Sequence, residues 1–174
     1  MEIRALRPDD DRSEFASGDE SLDRFFRKYA GQNQFRHHLG VTYVAVDDGR
    51  VLGFATVAPG QIDLEGLSAA TRKGLPHYPL PILRLARLAI DQSAQSQGLG
   101  RQLLRFVCVL AAKMAEDYGC AGVVVDAKPG AVDFYARYGF VAHDVLEGQS
   151  DARPRPVMMF LAMRAIRAAL DVPR

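Results

Sequence analysis

Hydrophobic positions follow two different spacings along the chain, and together these predict a protein that alternates strands with helices. Runs rich in β-branched residues predict strands, and apolar residues three or four positions apart predict amphipathic helices. The predicted strands are Ile3 to Leu6, Val41 to Val46, Val51 to Val57, Ile82 to Ile90, Val123 to Asp126, Phe140 to His143 and Val157 to Met163. The predicted helices are a segment from Ser21 to a stop at Gly31, then Ser68 to Lys73, Gly100 to Tyr118, Ala131 to Tyr138 and Ala165 to Leu170.

Turn signals divide these elements into two groups. Asp48-Gly49 lies between two apolar runs, which predicts a β-hairpin in the first half of the chain. The proline-rich stretch from Pro59 to Pro81 predicts a long loop with at most one short helix, suited to substrate contacts. Strands alternate with helices after this loop. We therefore expect a mixed α/β fold with helices packed on a central sheet, formed by one domain over residues 1–174.

Composition excludes several classes of protein. The chain is 48% hydrophobic and 25% charged, as in ordinary globular proteins. It contains no run near the ~20 apolar residues that span a bilayer, and Met1 to Arg4 lack the apolar core of a signal peptide. We therefore expect a cytoplasmic protein with no membrane partner. Cys108 and Cys120 have no neighbouring ligands for a zinc motif, so we expect reduced cysteines and no metal.

Charge is balanced overall but uneven along the chain. The formal net charge of +1 argues against a surface that is basic throughout. Residues 21–38 nevertheless carry four cations, Arg24, Arg27, Lys28 and Arg36, against the single acid Asp23. Such a segment is either a local basic binding patch or an ordinary solvated helix face.

One stretch of sequence has the pattern of an anion-binding loop. Gln95, Gly98 and Gly100 follow a predicted strand and immediately precede the longest predicted helix. Glycines let the backbone approach an anion closely, and the free amides at a helix N-terminus hold it. A pyrophosphate fits this arrangement. The NTPase phosphate loop does not compete, because Arg101-Gln102 replaces its Gly-Lys-Ser/Thr ending, and a dinucleotide fingerprint would need a third glycine.

The motif Gln95-x-x-Gly98-x-Gly100 resembles the acetyl-CoA pyrophosphate loop of the GNAT N-acetyltransferases. This resemblance implies the GNAT fold, a mixed and mostly antiparallel central sheet flanked by helices, with acetyl-CoA as co-substrate. It implies contacts to the cofactor from the main chain of the preceding strand, from the loop and from one aromatic residue. These residues are Leu88, Ala89, Ile90, Gln95, Ser96, Gln97, Gly98, Leu99, Gly100, Arg101 and Phe134.

A second block, Ala131 to Phe140, resembles the "FYxxxGF" signature of the same family. The resemblance places its helix beside the thiol end of the cofactor and assigns the catalytic role to Tyr135. A tyrosine phenol has a reference pKa of about 10, so at neutral pH it retains a proton to donate to the departing CoA thiolate. The alternative is that Phe134, Tyr135, Tyr138 and Phe140 form only an aromatic seam between helix and sheet.

The N-terminal sequence narrows the resemblance. Phe15-Ala16-Ser17-Gly18, Tyr29 to Gln34 and Val41 to Val44 resemble the GNAT toxins of bacterial toxin–antitoxin pairs. That resemblance implies acetylation of the α-amino group of aminoacyl-tRNA, which blocks translation. It also implies a ribbon-helix-helix antitoxin, contact with DNA only through the toxin–antitoxin complex that represses its own promoter, and a homodimer. The candidate tRNA contacts are Arg24, Arg27, Lys28, Arg36, Arg84 and Arg87.

The residues themselves are compatible with an α-amine acceptor. Such an amine has a reference pKa of about 7.7 to 8.0, far below the ~10.4 of lysine, so far more of it is already neutral near pH 7 and a strong general base is less necessary. The stretch from Leu83 to Ile90 contains no Asp or Glu that could serve as one. Two alternatives remain open: acetylation of a small-molecule amine or a protein N-terminus, and a non-catalytic acyl-CoA-binding module.

Overall fold

The computed structural model describes residues 1–63, 65, 67, 69–142 and 155–171 of the chain. The strands are β1 Glu2–Ala5, β2 Val41–Asp47, β3 Arg50–Ile62, β4 Leu80–Ile90, β5 Gly122–Ala127, β6 Val141–Ala142 and β7 Val157–Ala162. The α-helices are α1 Glu20–Arg24, α2 Ala69–Arg72, α3 Leu99–Asp117, α4 Val132–Arg137 and α5 Met163–Leu170. Short 3-10 turns cover Gln92–Ala94 and Pro129–Ala131.

The strands form one seven-stranded sheet in the order β1-β2-β3-β4-β5-β7-β6. The pairs β1–β2, β2–β3, β5–β7 and β6–β7 are antiparallel. The predicted hairpin is present: Asp48 and Gly49 both have positive φ, 49° and 77°, as a tight two-residue turn requires. This mostly antiparallel sheet with its helices confirms the expected fold class.

Contacts divide the chain into two compact units, Met1–Ala58 with Leu85–Cys108 and Pro59–Arg84 with Val109–Arg174. The first unit has an aromatic core, in which the Phe26 and Phe54 rings stack at 4.3 Å and Phe15 packs edge-on against both. The second has a core centred on Ile82, Val124 and Phe160. The single domain over 1–174 stays a prediction.

The predicted helix stop at Gly31 is wrong. Helix α1 continues beyond it through two π-helical segments, Phe25–Tyr29 and Gln32–Arg36, so that residues 20–36 form one N-terminal helical segment. Gly31 is right-handed helical, and an added Cβ would lie 3.0 Å from Arg12 Nη2. Arg12 Nη1 in turn donates to the carbonyl of Phe26 at 2.9 Å. The glycine therefore makes room for Arg12 rather than ending the helix.

The predicted loop from Pro59 to Pro81 is too long. β3 runs on to Ile62 and β4 begins at Leu80, which leaves a shorter connection that contains α2. Gly60 favours the extension because an added Cβ there would lie 3.2 Å from Ile82 Cδ1, a tight contact that the glycine avoids. Ser68 and His143, which bound a predicted helix and a predicted strand, lie outside the described residues.

Candidate active site

The loop between β4 and α3 has the geometry of an anion cradle. Ser96 and Gly98 have positive φ, 61° and 82°, and turn the chain so that α3 begins at Leu99. The first amides of a helix have no acceptor within the helix and are free for an anion. A Cβ added at Gly98 would have no described atom within 4 Å, so the backbone here is open to a ligand. These features fit the pyrophosphate of acetyl-CoA.

Hydrogen bonds made by the Gln95 and Asp91 side chains fix the shape of this loop. Gln95 Nε2 donates to the carbonyls of Ser17 at 2.7 Å and Ile90 at 2.9 Å. The buried Asp91 carboxylate accepts from Ser93 Oγ at 2.6 Å and from the Ala16 amide at 3.1 Å. Burial opposes ionisation of Asp91, but these hydrogen bonds outweigh it and lower its pKa. The Gln95 side chain therefore orients the loop, and any contact it makes with the cofactor stays a prediction.

The strand before this loop carries a half-buried cation. The guanidinium carbon of Arg87 lies 3.7 Å from the ring centroid of Phe25. Burial lowers the pKa of Arg87 from the usual arginine value, although a guanidinium remains charged at neutral pH. Among the described residues, no carboxylate forms an ion pair with Arg87. Leu88, Ala89 and Ile90 follow it, and their main-chain contact with the cofactor stays a prediction.

A small pocket of about 60 Å³ lies beside Arg87. Its walls come from the N-terminal helical segment, from the paired Thr42 and Thr56 hydroxyls at 2.8 Å, and from Ala86. Among the described residues that line it, none is Asp or Glu. The absence of an acidic general base stays a prediction.

Tyr135 lies in the second unit, on α4. It is 5% exposed and packs edge-on against Phe134 at 5.1 Å and Phe140 at 5.4 Å between ring centroids. Burial raises its pKa to about 12, so the phenol keeps its proton at neutral pH. Within the described part of the chain, its hydroxyl has no hydrogen-bond partner. The aromatic seam is therefore real, and it leaves a free phenol proton; the cofactor contact of Phe134 stays a prediction.

Comparison with known proteins identifies the family. The acetyltransferase (GNAT) domain model matches residues 38–142, more than half of the chain. The chain is a GNAT acetyltransferase. The enzyme therefore transfers an acetyl group from acetyl-CoA to an amine, as the loop motif and the Tyr135 block predicted.

Several proteins that are similar to this acetyltransferase act on tRNA or are bound to tRNA or acetyl-CoA. It is 34% identical, over 79% of its own length and 82% of the relative's, to a tRNA-acetylating toxin of Mycobacterium tuberculosis. It is 25% identical to AtaT in its complex with acetyl-methionyl-tRNAfMet, with a TM-score of 0.83 over 97% and 98% of the two chains. It is 26% identical to a chain of AtaTR bound with AcCoA, with a TM-score of 0.78 over 97% of each chain.

The six basic residues suggested as tRNA contacts fall into different environments in the acetyltransferase. Arg24, Arg27, Lys28 and Arg36 are exposed on the N-terminal helical segment. Asp23, the single acid between residues 21 and 38, is buried and accepts from Ser17 Oγ at 2.6 Å. Glu20, the first residue of the segment, is also exposed, so the exposed face carries four cations against one carboxylate and is basic.

The other two candidates are held by neighbours. Arg87 is stacked on Phe25, whereas Arg84, in the second unit, forms an ion pair with Asp126 at 3.0 Å. Arg27 also donates to the carbonyl of Phe15 at 3.3 Å.

Within the described ranges, no three His, Cys, Asp or Glu side chains are grouped so as to hold a metal ion. No described helix is long and apolar enough to cross a membrane.

Sequence reasoning missed Asp91 and the bridging role of Gln95. Asp91 had a local signal, since Asp followed two residues later by Ser is typical of an Asx turn that caps a short helix. Gln95 had none, because its partner Ser17 is 78 residues away in the sequence. The two free cysteines, Cys108 within α3 and Cys120 before β5, are as expected.

Proposed function

We propose that this GNAT acetyltransferase is a toxin that acetylates the α-amino group of aminoacyl-tRNA and so inhibits translation. One observation carries the proposal: the unit that holds the loop between β4 and α3, which we call the acetyl-CoA loop, also presents the pocket beside Arg87. Among its described lining residues none is Asp or Glu, so we call it the acid-free pocket, and it lies beside an exposed basic helical segment. The tRNA-acetylating toxin of M. tuberculosis and the tRNA complex of AtaT support it.

The acid-free pocket suits this acceptor. At pH 7 roughly a tenth to a sixth of an α-amine with a pKa of about 7.7 to 8.0 is neutral, whereas a lysine amine near 10.4 is almost wholly protonated and must first lose a proton to a base. A pocket for a polyamine would gain from carboxylates, and the described part of the lining contains none. The pocket therefore favours positioning of an amine that is already nucleophilic.

In the proposed reaction Tyr135 is the proton donor. The amine nitrogen attacks the thioester carbonyl and the C–S bond breaks, which leaves negative charge on sulfur. Tyr135 remains neutral at physiological pH because burial raises its pKa to about 12, so its hydroxyl is able to donate to that sulfur. The proton lost by the amine restores the phenol. Acetyl-CoA supplies the activated acetyl group, held by the amides of residues 96–101.

The basic face of the N-terminal helical segment is the proposed phosphate-binding surface. Arg24, Lys28 and Arg36 are all exposed on this segment. Arginine and lysine bind nucleic-acid phosphates without regard to sequence. Arg87, beside the pocket, is the proposed contact for the acceptor end, while the ion pair of Arg84 with Asp126 argues for a structural role.

The proposal extends to partners and place. A toxin of this kind needs an antitoxin, and the AtaTR complex is a precedent among solved relatives. We expect the antitoxin to be a ribbon-helix-helix protein, with DNA bound only by the toxin–antitoxin complex. We also expect the toxin to be a homodimer in the cytoplasm, where charged tRNA is found.

The test offers the purified enzyme acetyl-CoA with three acceptors: a pool of charged tRNA, polyamines, and peptides with free N-termini. Mass spectrometry after nuclease digestion detects acetylated aminoacyl-adenosine, and a thiol reagent detects free CoA. We expect acetylated aminoacyl-adenosine and its strong reduction in Tyr135→Phe.

Two other outcomes would replace the proposal. Release of CoA only with polyamines or peptides would assign a small-molecule or N-terminal acetyltransferase. Binding of acetyl-CoA without transfer to any acceptor would assign a non-catalytic module.

A further inference from the structure

The segment that precedes α1 is bonded directly to the acetyl-CoA loop within the first unit. The Gln92 amide donates to the Ala16 carbonyl at 2.9 Å, and Ala16 returns its own amide to the Asp91 carboxylate at 3.1 Å. Gln95 Nε2 donates to the Ser17 carbonyl at 2.7 Å. We call these five residues, Ala16, Ser17, Asp91, Gln92 and Gln95, the Ser17 junction.

The same segment fixes the start of the basic helix. The Ser17 amide and hydroxyl both donate to Asp23 Oδ1, at 2.9 and 2.6 Å, inside the first turns of α1. Asp19 then caps the helix by accepting from the Ser21 and Leu22 amides at 3.0 and 3.1 Å. Ser17 is therefore bonded on one side to the cofactor loop and on the other to the helix that carries the basic face.

The loop depends on such anchors for its shape. Ser96, directly after Gln95, has a φ of 61°, which is unfavourable for a residue with a side chain. Gly18, directly after Ser17, has a φ of 97°, and an added Cβ there would lie 3.0 Å from Gln92 Nε2. Both sides of the junction are thus held in conformations that their neighbours must support.

We propose that Gln95 is a positioning residue that couples the two substrate sites: occupation of the loop by coenzyme A orders the start of α1 and strengthens binding of the acceptor tRNA. The coupling rests on the proposed function, because it assigns the basic helical segment to tRNA. A ligand that stabilises the loop conformation also stabilises the segment that is hydrogen-bonded to the loop in that conformation. By linkage, tRNA that binds the ordered segment strengthens coenzyme A binding by the same factor. Coenzyme A itself is the suitable probe, since it fills the loop without allowing turnover.

The first measurement needs no tRNA. Hydrogen exchange at the amides of residues 17–23 is followed with and without saturating coenzyme A, in the wild type and in Gln95→Leu. We expect coenzyme A to slow exchange there in the wild type and to have much less effect in the variant, which cannot donate to the Ser17 and Ile90 carbonyls. Equal slowing in both proteins would overturn the proposal.

The second measurement compares the Kd for charged tRNA with and without coenzyme A. We expect the wild type to bind at least about fivefold more tightly with coenzyme A, and Gln95→Leu to show a ratio near one. Lys28→Ala should weaken tRNA binding in both conditions and keep the ratio, because it removes a phosphate contact and leaves the junction intact. Gln61→Leu, which removes an exposed glutamine on β3, is the matched control with unchanged behaviour.

Failure of the coupling and failure of the proposed function give different results. Equal tRNA affinity with and without coenzyme A in the wild type would overturn the coupling and leave the toxin function in place. Absence of tRNA binding in both conditions, with intact slowing of exchange, would overturn the function while the junction stands. If Gln95→Leu fails to fold, Gly18→Ala strains the same junction from the other side, and the same loss of coupling is expected.

Discussion

The central carbon of the Arg87 guanidinium lies over the Phe25 ring, 3.7 Å from the ring centroid. This contact joins the strand that precedes the acetyl-CoA loop to the helix that carries the basic face. It also fixes Arg87, the one charged side chain among the described residues that line the acid-free pocket. A cation held in this way needs no carboxylate partner and remains available to an anionic part of the substrate.

Arg87→Lys tests this contact. Lysine keeps the charge but lacks the planar group that stacks on an aromatic ring, and a desolvated contact of this kind is worth about 1 to 2 kcal/mol. We expect kcat/KM for charged tRNA to fall roughly 5- to 30-fold, and the Kd for acetyl-CoA to stay the same. Steady-state kinetics with each substrate varied in turn measures both. An unchanged kcat/KM would show that the stacked geometry has no role in the reaction.

Tyr135→Phe tests the proton donor. Removal of the phenolic hydroxyl, with the ring kept in place, should lower kcat by about 100-fold or more. At pH 8 the free energy of unfolding should change by less than about 1 kcal/mol, because within the described residues the hydroxyl has no partner to lose. Urea unfolding together with single-turnover kinetics separates the two effects. A variant with normal kcat would leave Tyr135 as part of the aromatic seam alone.

The same substitution has a signature at alkaline pH. The pKa of Tyr135 is about 12 in the folded protein and about 10 when exposed, so the unfolded chain loses this proton first as the pH rises. The stabilisation is therefore complete below pH 10 and is lost between pH 10 and about 12, and the total loss is about 3 kcal/mol. Tyr135→Phe should lack this part of the alkaline loss. Parallel curves for the two proteins would contradict the burial effect.

Gly98→Ala tests the anion cradle. The added methyl group forces a residue with a side chain into a φ of 82° and projects over the open backbone. We expect the Kd for acetyl-CoA to rise about tenfold, with a stability cost of about 1 kcal/mol. Gly74→Ala is the matched control, since Gly74 has a φ of 84° and equally open surroundings outside the loop. It should show the same stability cost without the loss of affinity, as measured by calorimetry.

Salt dependence tests the basic face. Each phosphate contact that is removed should lower the slope of log K against log salt concentration by about 0.7 to 0.9. Arg24→Ala and Lys28→Ala should each do so for tRNA binding, measured by filter binding at several salt concentrations. Lys113→Ala, at an exposed cation on α3 paired with Asp117, should leave the slope unchanged. Equal slopes in all four proteins would place the tRNA elsewhere.

Much of the fold was predictable because it depends on local patterns. Seven strands and the long helix α3 lie close to where the spacing of apolar residues placed them, and Asp48-Gly49 formed the expected turn. The predicted helix stop at Gly31 was wrong because a glycine in a sequence is typical of a helix end, whereas this glycine is required by the nearby Arg12 side chain. The extension of β3 past Pro59 was not predictable for the same reason, since Gly60 makes room for the Ile82 side chain, which comes from another strand.

The sequence by itself determined which functional groups share one element. These are the glycines at 98 and 100 in a predicted anion-binding loop, a tyrosine within an aromatic helix, and a stretch of β4 without acids. Only the tertiary structure decided what these groups contact. It paired Gln95 with Ser17, placed Arg87 on Phe25 and buried Tyr135, which raised its pKa. Spacing along a chain fixes which side chains share an element, whereas burial and hydrogen bonding depend on segments that the fold brings together from distant parts of the chain.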